Sequence, residues 1–213
     1  MLSVVIPALN ASATLRDTLV AIAEADEVVV VDGGSNDDTA ALAVSLGARV
    51  VSAPRGRGSQ LAAGVAAARG HWLLLLHTDT QLSRGWREVR LTPDRAGYFR
   101  FVLDSDEPRA RRLEQLVAWR CRVLALPYGD QGLLIHRDLL AEVGGVRSLP
   151  LMEDVDLVRR LGRRRLVALG VPAITSAEKW LRQGWYRRSL RNLFCLALYF
   201  AGLPPRLIAR LYG

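Results

Sequence analysis

Four polar clusters interrupt otherwise apolar stretches of this sequence, and each carries residues able to do chemistry. In EVVVVDGGS (27–35) a run of valines ends at Asp32. A carboxylate at the mouth of a buried strand can accept hydrogen bonds from a ribose hydroxyl or a base N–H, and Gly33 and Gly34 let a ligand approach the backbone closely. The same acid could instead cap the next helix, as Asp37 and Asp38 are expected to do. In PRGRGSQ (54–60), Arg55, Arg57 and two glycines precede a helix start. Backbone N–H groups, the helix dipole and a guanidinium together suit a diphosphate. The stretch is neither a Walker loop nor a dinucleotide fingerprint. In LLLLHTDT (73–80) four leucines run into Asp79. Buried and unpaired, that carboxylate would be expensive. At a strand mouth it can coordinate a divalent cation together with a phosphate, and His77 would point the same way on an extended chain. A turn or helix cap is the plainer use of the aspartate. In LMEDVDL (151–157), Glu153, Asp154 and Asp156 could contain a general base tuned by its neighbours, or simply supply the negative charge that a helix N-terminus favours.

The first half of the chain alternates. LSVVIPA (2–8), EVVVVDGGS (27–35), ARVVSA (48–53) and HWLLLLHTD (71–79) read as strands. Helices are expected over 12–25, with Ser12 as N-cap, and over 37–46 and 59–70. That order predicts a parallel α/β sheet with right-handed crossovers, and ligands then bind outside the carboxyl ends of the strands. The polar chemistry of the first half sits at four such ends: Pro7-Ala8, Asp32–Ser35, Ala53–Gly56 and His77–Asp79. In the second half, strands are expected at 96–104 and 132–137 and within 164–176, with helices over 108–126, 137–143 and 152–161. From Ala177 the chain reads as helical to its end, broken at Gly202–Pro205. The organisation expected is one domain over 1–185 and a C-terminal helical tail over 186–213.

The formal net charge is +8, which favours anionic partners: nucleic acid, phosphorylated small molecules or an anionic membrane. A high-GC genome would also enrich arginine. Lys179 is the only lysine. Cys121 and Cys195 have neither metal-site nor disulfide-framework spacing. The N-terminus shows no signal peptide, and no apolar run reaches the length of a spanning helix. The expected location is cytoplasmic, with peripheral contact at the inner face of the plasma membrane as an extension. The tail from Trp180 interleaves arginines with tryptophans and a short apolar run. Such a segment can lie at a membrane interface, pack on the core or join two subunits in a homodimer.

In this order and spacing, VVIPALN, VVVDGGSNDDT, LHTDT, YGDQGLL (128–134) and MEDVDL resemble the family 2 inverting glycosyltransferases over about residues 2–185. The resemblance is greatest to a small bacterial group with LHxDT in place of the DxD metal motif. It implies a GT-A fold, a nucleoside-diphosphate sugar donor (UDP ahead of GDP) and Mg²⁺ or Mn²⁺. By that resemblance Pro7, Ala8, Asn10, Asp32, Gly34 and Thr78 belong to the nucleotide-sugar pocket, and Arg57 and Gln60 lie near the diphosphate. Asp79 takes the last acidic position of the metal motif and His77 replaces its first. Asp154 matches the catalytic base with Glu153 as alternate, and Asp130, Gln131, Lys179 and Trp180 lie on the acceptor side. The acceptor implied is a sugar or lipid-linked hydroxyl.

Other readings compete. A nucleotidyltransferase would want a lysine in a glycine-rich loop near the N-terminus, which PALNASATL lacks. A nucleic-acid-binding module would interleave its basic residues with aromatics on a strand surface; no nucleic-acid partner is expected. A catalytically impaired nucleotide-sugar-binding relative and a basic membrane-interacting module remain as alternatives.

Overall fold

The computed structural model describes residues 1–212. The first half alternates as expected: β1 (Leu2–Ala8), α1 (Ser12–Ala21), β2 (Glu27–Asp32), α2 (Thr39–Ser45), β3 (Arg49–Ser52), α3 (Arg57–Ala67) and β4 (Trp72–Leu75). β1 pairs in parallel with β2 and β4, and β2 with β3. A parallel sheet must be covered on both faces, and alternate side chains of each strand serve opposite layers. Val4, Ile6 and Val30 face α1 and α2 through Leu15, Leu19 and Ala43. Val5, Val29 and Val31 face α3 through Leu61. Gly64 lets α3 lie flush on the sheet, since a Cβ there would overlap Val5 Cγ1.

The second half contributes β5 (Thr80–Leu82), β6 (Ala96–Leu103), α4 (Pro108–Leu124), β7 (Leu133–His136), α5 (Arg137–Glu142), α6 (Glu153–Leu161), β8 (Leu166–Thr175), α7 (Glu178–Gln183), α8 (Trp185–Phe200) and α9 (Pro205–Tyr212). One sheet runs β3-β2-β1-β4-β7-β6-β8-β5. The β4–β7, β6–β7 and β5–β8 pairings are antiparallel, and β6–β8 is parallel. Four of its seven pairings are parallel, so this is the expected mostly parallel α/β sheet flanked by helices.

The fourth strand is shorter than expected. It stops at Leu75 rather than at residue 79, and His77 to Asp79 form the link to β5. That link is held by tertiary bonds: the Thr18 hydroxyl donates to the Thr78 carbonyl, and the Ser176 amide to the Asp79 carbonyl. β5 itself was not anticipated, because three residues are too few to show alternation. Ser12 does not cap α1 with its side chain. The Ala11 and Ser12 amides instead donate to Thr39 Oγ1 and Asp37 Oδ2 in the loop that follows β2. The Thr39 hydroxyl and the Ser12 amide hold the Asp37 carboxyl well below its usual range.

The C-terminal helices are tied to the body. Cys195, Leu196 and Ile208 bury against Leu126, Leu151, Val155 and Val158. Among the described residues, no helix is long and apolar enough to cross a membrane.

Candidate active site

The carboxyl ends of β1 and β2 carry a closed hydrogen-bond network. Asp32 accepts from the Gly34 amide at 3.1 Å and from the Ser35 hydroxyl at 2.5 Å. Ser35 Oγ in turn accepts from the Asn10 amide, and Asn10 Oδ1 accepts from the Asn36 amide. Asn10 sits at φ 48°, the left-handed region that asparagine tolerates. Asn10, Asp32 and Gly34 are thus gathered at one loop mouth, as the sequence suggested. Asp32 braces its own turn rather than capping α2, and it remains partly exposed at the mouth. Pro7 and Ala8 are buried, and the Ala8 carbonyl accepts from the Gly33 amide. They form the floor beneath that mouth rather than its lining.

The first turn of α3 joins this mouth to a second cluster. Gln60 is buried, and its amide nitrogen donates to the Ala8 and Val31 carbonyls at 2.7 and 2.8 Å. That corrects its expected place near a diphosphate: both amide hydrogens are committed to the ends of β1 and β2. Arg57, one turn earlier, is half-exposed and sends Nε to within 3.0 Å of Glu153 Oε1.

The second cluster surrounds a cavity of about 130 Å³ lined by Arg57, His77, Asp79, Asp130, Asp154 and Lys179. Segments distant in sequence supply these groups. Lys179 Nζ lies 2.6 Å from Asp79 Oδ2. Burial works to raise the Asp79 carboxyl, but the Lys179 ammonium outweighs it and holds the group below its usual range. The sole lysine of the chain therefore meets the one acid of LHTDT at the cavity. Burial and the nearby Arg57 push His77 down to about 4, so its imidazole is neutral at physiological pH. Burial pushes Asp130 up to about 6, and its Oδ1 is enclosed without a partner.

The acid pair divides in two. Glu153 is 1% exposed, and burial pushes it up to about 7 against the pull of Arg57. Neither of its oxygens makes a hydrogen bond of good geometry. It faces Arg57 rather than solvent, which removes the access an acceptor would need. Asp154 lines the cavity, with Oδ2 accepting from the Gly129 amide at 2.8 Å and Oδ1 from the Val155 amide at 2.7 Å. Gly129 also clears room for His77, since a Cβ there would lie 2.6 Å from Nε2. Asp156 is structural, paired with Arg147 and Arg160.

Two acceptor-side expectations change. Gln131 is buried; its Nε2 donates to the Phe99 carbonyl and its Oε1 accepts from the Tyr128 amide. It props the loop and does not line the cavity. Trp180 is 6% exposed and packs edge-on to Phe101, so it is mainly core with one side at the cavity. Sequence reading missed Arg188, Asn192, Cys195 and Tyr212, which line the cavity from α8 and α9. The available signal was helical period: positions 185, 188, 192, 195 and 196 share one face.

A cation beside Asp79 would find one carboxylate and one neutral imidazole, His77, from this chain. Among the described residues no three His, Cys, Asp or Glu side chains are grouped to hold a metal ion. The donor set fits a cation completed by oxygens from a bound diphosphate and water, and does not fit a closed protein cage.

The sequence pattern of glycosyl transferase family 2 matches residues 3–118, more than half of the chain. The chain belongs to glycosyl transferase family 2. An uncharacterised glycosyltransferase of Mycobacterium tuberculosis is 40% identical over 84 residues, 39% of this chain and 38% of that protein. Glucosyl-3-phosphoglycerate synthase of the same organism is 36% identical over 92 residues, 37% of this chain and 28% of the synthase. These matches span well under half the length of either relative. The crystal structure of that synthase with Mn²⁺, uridine diphosphate and glucosyl-3-phosphoglycerate superposes at TM-score 0.59 and 23% identity, covering 96% of this chain and 81% of the synthase. A crystal structure described as a mycobacterial protein gives TM-score 0.63 at 24% identity, over 96% of this chain and 76% of the other. The shared fold is GT-A.

Proposed function

We propose that this family 2 member transfers a sugar from a nucleoside-diphosphate sugar, UDP-linked ahead of GDP-linked, to an acceptor hydroxyl with inversion. Within the family we place it in the group with LHxDT at the metal motif. The observation that carries the reading is the convergence of Arg57, His77, Asp79, Asp154 and Lys179 on one cavity at the carboxyl ends of the sheet. The Mn²⁺ and uridine diphosphate bound by the synthase of like fold support the donor class.

Each residue then has a task. The Asn10–Asp32–Ser35 network presents a fixed rim to the nucleoside. Arg57, steered by Glu153, and Lys179 place positive charge where the leaving diphosphate gathers negative charge, a stabilisation realised mostly in the transition state. Asp79 and His77 would hold the Mg²⁺ or Mn²⁺, which when bound adds charge neutralisation at the diphosphate. Asp154 accepts the proton of the attacking hydroxyl. The Gly129 and Val155 amides fix its orientation, and its remaining lone pairs are free for that bond. Asp130 lies on the acceptor side.

A calorimetric titration of UDP and GDP with and without Mn²⁺ tests the donor class. The expected result is UDP binding that strengthens with Mn²⁺ and is lost in Asp79→Ala. Absence of binding to either nucleotide would overturn the reading. One observation favours a second reading, a nucleotide-sugar-binding relative with impaired turnover: Lys179 already neutralises Asp79. Nucleotide binding without UDP release from any UDP-sugar across a pool of acceptors would select it.

A further inference from the structure

We propose that the outward face of α8 and α9 seats this protein peripherally on an anionic lipid bilayer. On α8, Tyr186, Leu190, Leu193 and Phe194 are 58–66% exposed. With exposed Ala197 and Phe200 they form a stripe along the solvent side of the helix. Its opposite side is anchored by Trp185, Cys195 and Leu196. A helix with one face sunk in a core and the other apolar face in water calls for an occupant. On α9, Leu207 and Leu211 are likewise exposed, beside exposed Arg206 and Arg210.

Charge selects the occupant. No acidic residue follows Glu178, and Arg182, Arg187, Arg206 and Arg210 are exposed, whereas Lys179 is tied to Asp79 and Arg188 faces the cavity. A second copy of this chain meeting the same face would set arginines against arginines, because a two-fold contact pairs a patch with itself. An anionic bilayer matches both features: apolar side chains enter the headgroup and acyl boundary, and guanidinium groups stay among the lipid phosphates. Arg188 and Asn192, on the other side of α8, line the cavity. About one helix diameter, ~10 Å, would then separate the active site from the lipid.

Flotation of the full chain with vesicles tests this. The expected result is capture by vesicles of phosphatidylcholine doped with phosphatidylserine, weaker capture by phosphatidylcholine alone, and release as salt rises. Leu190→Glu with Phe194→Glu should reduce capture about ten-fold or more, with an unchanged unfolding midpoint because both positions are exposed. Leu190→Ser is the milder variant, to be used if the double variant unfolds. Asp79→Ala should float like wild type, which keeps this test independent of the nucleotide-binding one. The proposal is overturned if wild type ignores the doped vesicles or if the folded double variant floats as wild type does. A solution dimer that the double variant splits, with no capture of wild type by vesicles, would overturn it in favour of a second copy.

Discussion

The two clusters at the carboxyl ends of the sheet are built on opposite principles. Around Asn10, Asp32, Ser35, Asp37 and Thr39, polar groups answer one another within two short loops. Around Asp79, Asp130 and Glu153 the groups come from distant segments, and Asp130 and Glu153 carry buried oxygens without a hydrogen bond. The first cluster is a satisfied scaffold whose geometry precedes any ligand. The second keeps charge partly unanswered: burial raises Asp130 and Glu153 and lowers His77, whereas Asp37 in the first is lowered by the hydrogen bonds it accepts. Perturbed groups of this kind gather where chemistry is done, while a satisfied network serves shape.

That contrast can be broken. The largest expected effect is Asp154→Asn: transfer should fall by roughly 10²–10⁴, the range for loss of a general base, while UDP affinity and the unfolding midpoint hold. Equal loss of binding and transfer would assign Asp154 to the scaffold. Asp32→Ala should do the reverse. Losing the bonds from Ser35 and Gly34 should lower stability by about 1–3 kcal/mol and weaken UDP, leaving turnover of bound donor nearly unchanged. Separate measurements of kcat and Kd would show it.

Gly129→Ala probes how tightly the second cluster is fitted. The new Cβ would press on His77 Nε2 at 2.6 Å and sits beside the amide that holds Asp154. A misplacement on that scale should lower transfer by about ten- to a hundred-fold, with an overpacking penalty of about 1–3 kcal/mol. Activity at the wild-type level would mean that His77 and Asp154 need no fixed relation.

The smallest effect is a pH signature. Glu153 rises from 4.5 to about 7 on folding, chiefly through burial. The folded state therefore binds this proton more tightly than the unfolded one. Its contribution to stability is present below about 4.5 and is lost as pH climbs to about 7. Glu153→Gln should flatten that part of the unfolding profile. His77, pushed the opposite way to about 4 by burial and Arg57, tilts the profile upward below its ordinary value, so the difference between variant and wild type is the quantity to read. An identical slope in both would place Glu153 in a solvated, ordinary state.

The sequence showed the scaffold more fully than the chemistry. VVVVDGGS and LSVVIPA are local signals, apolar runs closed by glycine or proline: β1 ends at Ala8 as expected, and β2 stops at Asp32, where the glycines of the 27–35 run begin. HWLLLLHTD misled because burial alone does not say where strand pairing stops; β7 runs out of partners for β4 at Leu75. Gln60 and Gln131 looked like ligands for a similar reason. A polar residue beside a site reads the same in sequence whether it faces the ligand or a backbone carbonyl.

By itself the amino-acid sequence determined the alternation of strands and helices, the α/β class and the strand ends that bear polar groups, because these follow from short-range periodicity and turn chemistry. Tertiary structure alone decided that Lys179 meets Asp79 across 100 residues of chain. It also set Glu153 apart from its neighbour Asp154, and turned one face of α8 to the cavity and the other outward. Those outcomes depend on burial and on charges brought together by packing, and neither quantity exists until the chain has folded.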